Sequence, residues 1–376
     1  MNDPFDRLRV MSESNEREAR YLRMALRLAL RGAGRTSPNP LVGAVLVRNG
    51  RVLATGYHRR AGADHAEIIA LKRAGKRARG ATLYINLEPC DHQGRTPPCT
   101  LALIDSGIRR VVAGMVDPNP LVSGKGIRRL RRAGVQVDVG LLEAECHQLN
   151  EAFIKYITRR IPFVVLKLAA SLDGKIATSR GDSRWITGVA ARHYVHRLRN
   201  QVDAVLVGIG TVLADDPELT CRVRGGRNPL RIVLDRHLRI PLTARLLRQA
   251  DAEKTIVVTG PRAPGKKIKA LEDLGARVWR VPLVRSGLSF PSLLKRLGRL
   301  GLLSVMIEGG GTTAGRALQE NVVDKVLFFY APKILGGDGR DMIGALGIKQ
   351  VSRCRRIRDV EVKRFGPDLL ISGYLK

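Results

Sequence analysis

Short apolar runs alternate with amphipathic stretches along almost the whole 376-residue chain, and no other feature constrains the fold as tightly. Strands separated by helices lie mainly parallel, because a parallel neighbour needs a crossover long enough to contain a helix. Residues 14–31 carry Tyr21, Met24, Ala25 and Leu28 at helical spacing. Residues 41–47 and 51–56 read as a hairpin closed by Asn49-Gly50, a pair that tolerates the positive φ of a tight turn. Helices are then predicted over 65–74, 99–106 and 127–132, with strands over 81–87, 109–116 and 135–139 between and after them. A charged amphipathic stretch, 141–158, ends at Arg159-Arg160-Ile161-Pro162, which sets a domain boundary near residue 160. Residues 163–170 restart the pattern as a continuous apolar strand suited to a buried sheet. Further strands are predicted over 204–207, 231–234, 255–258, 277–281, 304–307 and 325–329. The expectation is two different α/β domains, residues 14–160 and 161–376.

Composition narrows the function classes. An apolar content of 44% is enough for a core in each domain, so wholesale disorder is excluded. The absence of any run of eighteen apolar residues argues against a transmembrane helix. The N-terminal residues lack an apolar signal segment, and five cysteines do not suggest a disulfide framework; the expectation is a reduced, cytoplasmic protein. The net charge of +32 is spread evenly over both domains rather than gathered in a tail, as a solvated surface rich in arginine would have it.

The sharpest chemistry is His65-Ala66-Glu67, followed by Pro89-Cys90 and then Cys99. One imidazole and two thiolates make a three-ligand zinc site with a fourth tetrahedral position open for water, as hydrolytic catalysis requires. Glu67, two residues after His65, is the candidate acid and base, moving a proton between water and a leaving amine; this is the pattern of zinc nucleobase deaminases. A structural zinc would need a fourth protein ligand, for which His92 is available. The two cysteines stand eight residues apart, where polynucleotide deaminases have two.

That spacing carries a resemblance. Glu88-Pro-Cys-Asp-His-Gln-Gly-Arg-Thr-Pro-Pro-Cys99 is similar to the zinc loop of the bifunctional pyrimidine deaminase/reductases of riboflavin biosynthesis. The likeness extends to Ser37-Pro-Asn-Pro-Leu-Val-Gly43, Gly56-Tyr-His-Arg-Arg-Ala-Gly62 and Asp117-Pro-Asn-Pro-Leu-Val-Ser-Gly-Lys-Gly126. Asp64 stands where that family usually has proline before the metal histidine.

In the second domain Lys167-Leu-Ala-Ala-Ser-Leu-Asp-Gly-Lys-Ile-Ala177, Ser183-Arg-Trp-Ile-Thr-Gly188, the Gly208–Asp215 run on to Pro217, and Glu308-Gly-Gly-Gly-Thr-Thr-Ala-Gly315 continue the resemblance. A glycine-rich turn from strand to helix lets backbone N–H groups approach a phosphate, although no G-x-G-x-x-G fingerprint is present. The resemblance implies a cytidine-deaminase-like α/β/α domain followed by an α/β domain like dihydrofolate reductase. It implies Zn2+ on His65, Cys90 and Cys99, with NADPH against Ala169, Trp185, Thr211, Asp215, Gly310, Gly311, Thr312, Thr313, Ala314 and Gly315. Substrate contacts carry over to Lys167, Ser183, Arg199, Leu219, Arg222 and Glu308. A further coenzyme contact of the family, usually a small hydroxyl residue, falls on Arg236 here. The implied reactions are hydrolytic deamination of a diaminopyrimidinone ribosylamine 5′-phosphate and NADPH-dependent reduction of its ribosyl group, by a homo-oligomer. The rival reading is a zinc deaminase acting on RNA, motivated by the charge but opposed by the cysteine spacing and an aromatic content of 4%.

Overall fold

The computed structural model describes residues 13–91, 97–120, 122–248, 251–285 and 287–375. The chain forms two compact units that divide between Arg159 and Arg160.

The first unit contains helix α1 (Glu13–Ala29), the hairpin strands β1 (Gly43–Arg48) and β2 (Arg51–Tyr57), α2 (Ala66–Ala74), β3 (Thr82–Ile85) and α3 (Cys99–Asp105). It continues through β4 (Arg110–Ala113), α4 (Lys125–Arg132), β5 (Gln136–Val139), α5 (Glu143–Leu149) and α6 (Glu151–Arg159). The sheet order is β2-β1-β3-β4-β5, antiparallel at β2-β1-β3 and parallel from β3 onward. Both central residues of the hairpin turn have positive φ, Asn49 at 50° and Gly50 at 73°. Alternate residues of β1 serve two cores. Ala44 and Leu46 pack with Ala66, Ala70 and Leu71 of α2 and Leu103 of α3, while Val45 and Val47 pack with Leu22 and Ala25 of α1. The result is an α/β/α sandwich.

The stretch 141–158, read from sequence as one amphipathic element, is two helices. They part at buried Asn150, whose Oδ1 accepts from Leu41 N (2.8 Å) and whose Nδ2 donates to Leu41 O (3.0 Å). A long-range pairing thus interrupts a helical pattern that local sequence supports.

The second unit begins with β6 (Phe163–Ser171), β7 (Lys175–Ala177), α7 (Val189–Gln201), β8 (Ala204–Gly208) and α8 (Ile209–Asp215). Then follow β9 (Leu230–Leu234), β10 (Thr255–Thr259), α9 (Gly265–Asp273), β11 (Arg277–Arg280), the two-residue strands β12 (Leu283–Val284) and β13 (Gly287–Leu288), and α10 (Phe290–Arg299). The last elements are β14 (Ser304–Glu308), α11 (Gly311–Gln319), β15 (Lys325–Ala331), β16 (Arg340–Asp341), β17 (Ile357–Phe365) and β18 (Asp368–Leu375). Nine strands form one sheet in the order β11-β10-β9-β8-β14-β6-β15-β18-β17. All pairs from β11 to β15 are parallel; β18 and β17 close the far edge antiparallel. Val164, Leu166 and Leu168 of β6 pack beneath Phe290, Leu293 and Leu297 of α10 and Ala314 and Ala317 of α11. Because the seven parallel strands share one direction, their carboxyl ends lie along one rim, where α/β sheets bind ligands.

Candidate active sites

In the first unit the ligand types come from the beginnings of two helices and one loop. His65 is the N-cap of α2, Cys99 the first residue of α3, and Cys90 lies in the loop after β3. The ligand atoms of all three lie within 4.8 Å of one another. His65 Nδ1 is 3.1 Å from Cys99 Sγ and 3.5 Å from Cys90 Sγ. Without a cation these groups share protons. The Cys99 thiol donates to Cys90, which draws Cys90 down to about 4 and pushes Cys99 up, and the Cys90 thiolate in turn raises His65 to about 9. A divalent cation can take the place of the shared protons, and one nitrogen with two sulfurs is a zinc donor set.

Glu67 stands in the first turn of α2, only 3% exposed, and its Oε2 has no hydrogen-bond partner among the described residues. Burial raises the Glu67 carboxyl above its ordinary range, partly offset by His65. A buried carboxylate oxygen left unpaired costs free energy unless something else meets it. His92 falls outside the described residues.

Two carboxylates missed as functional by sequence reasoning hold this loop. Glu88 accepts from the backbone N–H of Asp117 (3.1 Å), Gly124 (2.8 Å) and Ile127 (3.2 Å), so the chain beside Cys90 is tied to the start of α4. Asp91 Oδ1 accepts from Thr100 Oγ1 (2.6 Å) and from Arg129 (3.0 Å), linking the neighbour of Cys90 to the neighbour of Cys99. Their signal was adjacency to the ligands. Asn39 and His58, in two of the quoted motifs, meet each other at 3.0 Å, and the His58 ring stands edge-on to His65. Asp64 pairs with Lys72 on the surface.

The second site is a cleft of about 860 Å3 at the carboxyl rim of the parallel sheet. Lys167 of β6 and Glu308 of β14 are register partners, which sets their side chains next to each other at 3.6 Å. Arg199 of α7 grips both carboxylate oxygens of Glu308 (2.7 and 2.9 Å) and donates to Thr220 O (3.1 Å). Burial alone would push the Glu308 carboxyl up, but Arg199 and Lys167 outweigh it and hold it at about 2. Burial lowers the Lys167 ammonium, and Glu308 only partly restores it. Ser183 donates to Asp215 at 3.3 Å.

After β14 the chain turns through Gly309 (φ 87°) and Gly310 (φ 76°) into α11, both in the left-handed region that favours glycine. A Cβ on Gly311 would stand 2.4 Å from Asp341 O, and one on Gly208 2.4 Å from Thr313 Oγ1. These glycines leave a backbone-lined cradle. Of the residues singled out from sequence, the cleft brings together Lys167, Ala169, Ser183, Arg199, Thr211, Asp215, Leu219, Arg236, Glu308, Gly310, Gly311, Thr312 and Thr313. Four do not line it. Ala314 and Gly315 are buried within α11, Trp185 is 61% exposed beside Arg192, and Arg222 is exposed and paired with Glu218.

Two family descriptions match the two units: the cytidine and deoxycytidylate deaminase zinc-binding region over residues 15–115, and the RibD C-terminal domain over 162–371. The riboflavin biosynthesis protein RibD of Aquifex aeolicus is 46% identical, covering 95% of this chain and 98% of its own. That of Escherichia coli is 40% identical over 93% and 97%. The chain belongs to the RibD family. Among solved structures, Acinetobacter baumannii RibD superposes with a TM-score of 0.86 at 36% identity, covering 96% of this chain and 99% of that one. The Thermotoga maritima protein, titled a diaminohydroxyphosphoribosylaminopyrimidine deaminase/5-amino-6-(5-phosphoribosylamino)uracil reductase, gives 0.85 at 40% identity over 96% and 100%. As a RibD protein the chain is a bifunctional enzyme of riboflavin biosynthesis, with a zinc-dependent deaminase domain and an NADPH-dependent reductase domain. The RNA deaminase reading is not favoured, since the likeness runs through both domains. Among the described residues, no helix is long and apolar enough to cross a membrane.

Proposed function

We propose that the first unit removes the exocyclic 2-amino group of 2,5-diamino-6-ribosylamino-4(3H)-pyrimidinone 5′-phosphate, with Glu67 as acid and base. The observation that carries this is the buried, unpartnered Glu67 Oε2 beside the three ligand atoms. Zinc, when bound by His65, Cys90 and Cys99, supplies a Lewis acid that acidifies the attacking water. Glu67 takes that water's proton at Oε2, holds it while the C–N bond breaks, and returns it to the amine, which leaves as ammonia. The Asp91–Thr100 contact keeps the two cysteine segments at ligand separation.

The second unit reduces the ribosyl group of the deaminated product to ribityl, with NADPH supplying the hydride for C1′. Opening of the sugar ring leaves an alkoxide that takes one proton, and Lys167 Nζ delivers it. Glu308 and Arg199 fix the ammonium against the substrate. The glycine turn after β14 receives the coenzyme's phosphates close to the backbone. Five free cysteines suit a reducing, cytoplasmic setting. The exposed outer strand β17, with Val360 and Val362 open to solvent, supports assembly into a homo-oligomer.

The test follows ammonia and coenzyme absorbance together, using zinc-replete protein and the diaminopyrimidinone nucleotide. Ammonia release without NADPH, and NADPH oxidation only after deamination, is the expected result. Coenzyme oxidation before any ammonia would reverse the order, and failure of both would refute the assignment.

A further inference from the structure

The resemblance carries a substrate contact to Arg222, yet the chain keeps that side chain out of the cleft, and the reason stands four residues earlier. After α8 the chain runs Asp216-Pro-Glu-Leu-Thr-Cys-Arg222. Pro217 and Leu219 line the cleft, with Leu219 buried at φ 55°. Glu218 lies between them and does not line it. Its Oε2 accepts from Arg222 at 3.0 Å and from Thr220 Oγ1 at 3.3 Å, and its Oε1 pairs with Arg245 from the segment between β9 and β10. That segment is tied to the same loop, since the Arg245 N–H donates to Asp216 Oδ1 at 2.9 Å. The Glu218 side chain is 22% exposed, whereas Arg222 is 61% and Arg245 53% exposed. Two solvated guanidinium groups thus share one carboxylate at the lip of the cleft.

The backbone that carries this pair is anchored to the reductase centre. Thr220 O accepts from Arg199, whose other nitrogens hold Glu308, and the Cys221 N–H donates to Asn228 Oδ1 at 3.0 Å. Arg222 therefore begins two residues from a carbonyl that touches the ion triad. Burial lowers the His196 imidazole of α7, and Arg199 and Arg222 both lower it further, so the two guanidinium groups stand near one ring. Turning a long, solvated side chain, with the loop in place, separates Arg222 on Glu218 from Arg222 over the cleft. Resting on the reading above that the second unit takes a ribosylaminopyrimidine 5′-phosphate, we propose that Glu218 is an internal competitor for that phosphate, holding Arg222 while the cleft is empty and yielding it to the substrate. An exposed ion pair contributes little, whereas a guanidinium meets a phosphate in two-pronged, charge-assisted contact. A phosphate monoester carries about −1.5 to −2 charges near neutral pH against one on the carboxylate, so the exchange favours the phosphate. A ligand without a phosphate leaves the pair closed. Glu218 thereby sets the affinity for the phosphorylated substrate without touching the pyrimidine or the coenzyme.

The experiment is steady-state NADPH oxidation by the full chain with the deaminated nucleotide, and with the same nucleoside lacking its phosphate, for the native protein, Glu218→Gln, Arg222→Ser and the double variant. Glu218→Gln is expected to lower KM for the nucleotide about three- to fivefold, the scale of an exposed ion pair, while kcat and the nucleoside KM stay within about twofold of native. Arg222→Ser should raise the nucleotide KM about tenfold or more, since a charge-assisted contact is lost. Adding Glu218→Gln to Arg222→Ser should then change KM by less than about twofold, because the competitor has nothing left to hold. Calorimetric titration with NADPH, expected to give native affinity in every variant, reports that each is folded. A nucleotide KM raised by Glu218→Gln would make the carboxylate a support of Arg222 and overturn the proposal. Equal gains for nucleotide and nucleoside, a full gain in the Arg222→Ser background, or a native KM in Arg222→Ser would each overturn it as well. Native protein that oxidised NADPH with neither compound would overturn the reductase reading and this inference with it.

Discussion

The two units build their sites by opposite means. The deaminase centre gathers four side chains, His65, Glu67, Cys90 and Cys99, from one short stretch of chain, and each has a chemistry that few residues can replace. The reductase cleft draws on the ends of several strands from β6 to β14 and relies on backbone, glycines and an ion triad. A metal site concentrates its energy in a few bonds, whereas a coenzyme spreads its binding over many weak contacts. Single substitutions should therefore act as switches in the first unit and as graded losses in the second.

Glu67→Gln tests the switch most directly. Ammonia release is expected to fall about 10³- to 10⁴-fold, with zinc content by metal analysis and reduction of the already deaminated substrate unchanged; a zinc-replete variant at native rate removes Glu67 from the mechanism. In the second unit, Glu308→Ala leaves Lys167 and Arg199 as uncompensated buried cations and should cost about 3–4 kcal/mol, read as a lowered calorimetric transition of that unit. The same group sets a pH dependence. Its folded carboxyl lies at about 2, below the unfolded value, so its contribution is complete above that unfolded value and is lost as pH falls toward 2. Stability of the second unit should decline over that acid window in the native protein and show less dependence there in Glu308→Gln. A smaller effect is expected at Asp91, which only holds the ligand segments together: Asp91→Asn should speed zinc release to a chelator about tenfold. Release at the native rate would leave the Asp91–Thr100 link without a part in metal retention. The least change is expected from Gly50→Ala, which puts a side chain at φ 73° in open space and should cost about 1 kcal/mol in thermal melting.

The same contrast governs what could be read without coordinates. The hairpin at Asn49-Gly50 and the parallel strands from β6 to β15 follow from local turn chemistry and apolar runs, and the α/β class with them. The ligand types stand in a motif with fixed order, so the sequence points to residues that the structure also brings together. Strands β17 and β18 were not legible. Most of β17 is exposed and charged, lacking the alternation that marks a half-buried strand, and it is a strand because β18 pairs with it. The break at Asn150 was hidden because its partner, Leu41, is far away in sequence. Arg236 stood out among 66 basic residues only through the family resemblance; that it lines the cleft follows from the place of β9 in the sheet. Trp185 and Arg222 look like site residues in sequence, yet neither lines the cleft.

The position of β6 has a consequence for how the protein is made. This nine-residue apolar strand is the first of its unit to leave the ribosome, and both strands that flank it, β14 and β15, are among the last. Until they emerge, its two edges have no native partner, and the growing chain carries an adhesive segment through most of the unit's synthesis. The first unit has no such delay, because its strands β1, β2 and β3 pair with near neighbours in sequence. During translation the two catalysts therefore mature at different times, and a ribosome stalled before β14 would release a deaminase tethered to an unfinished sheet.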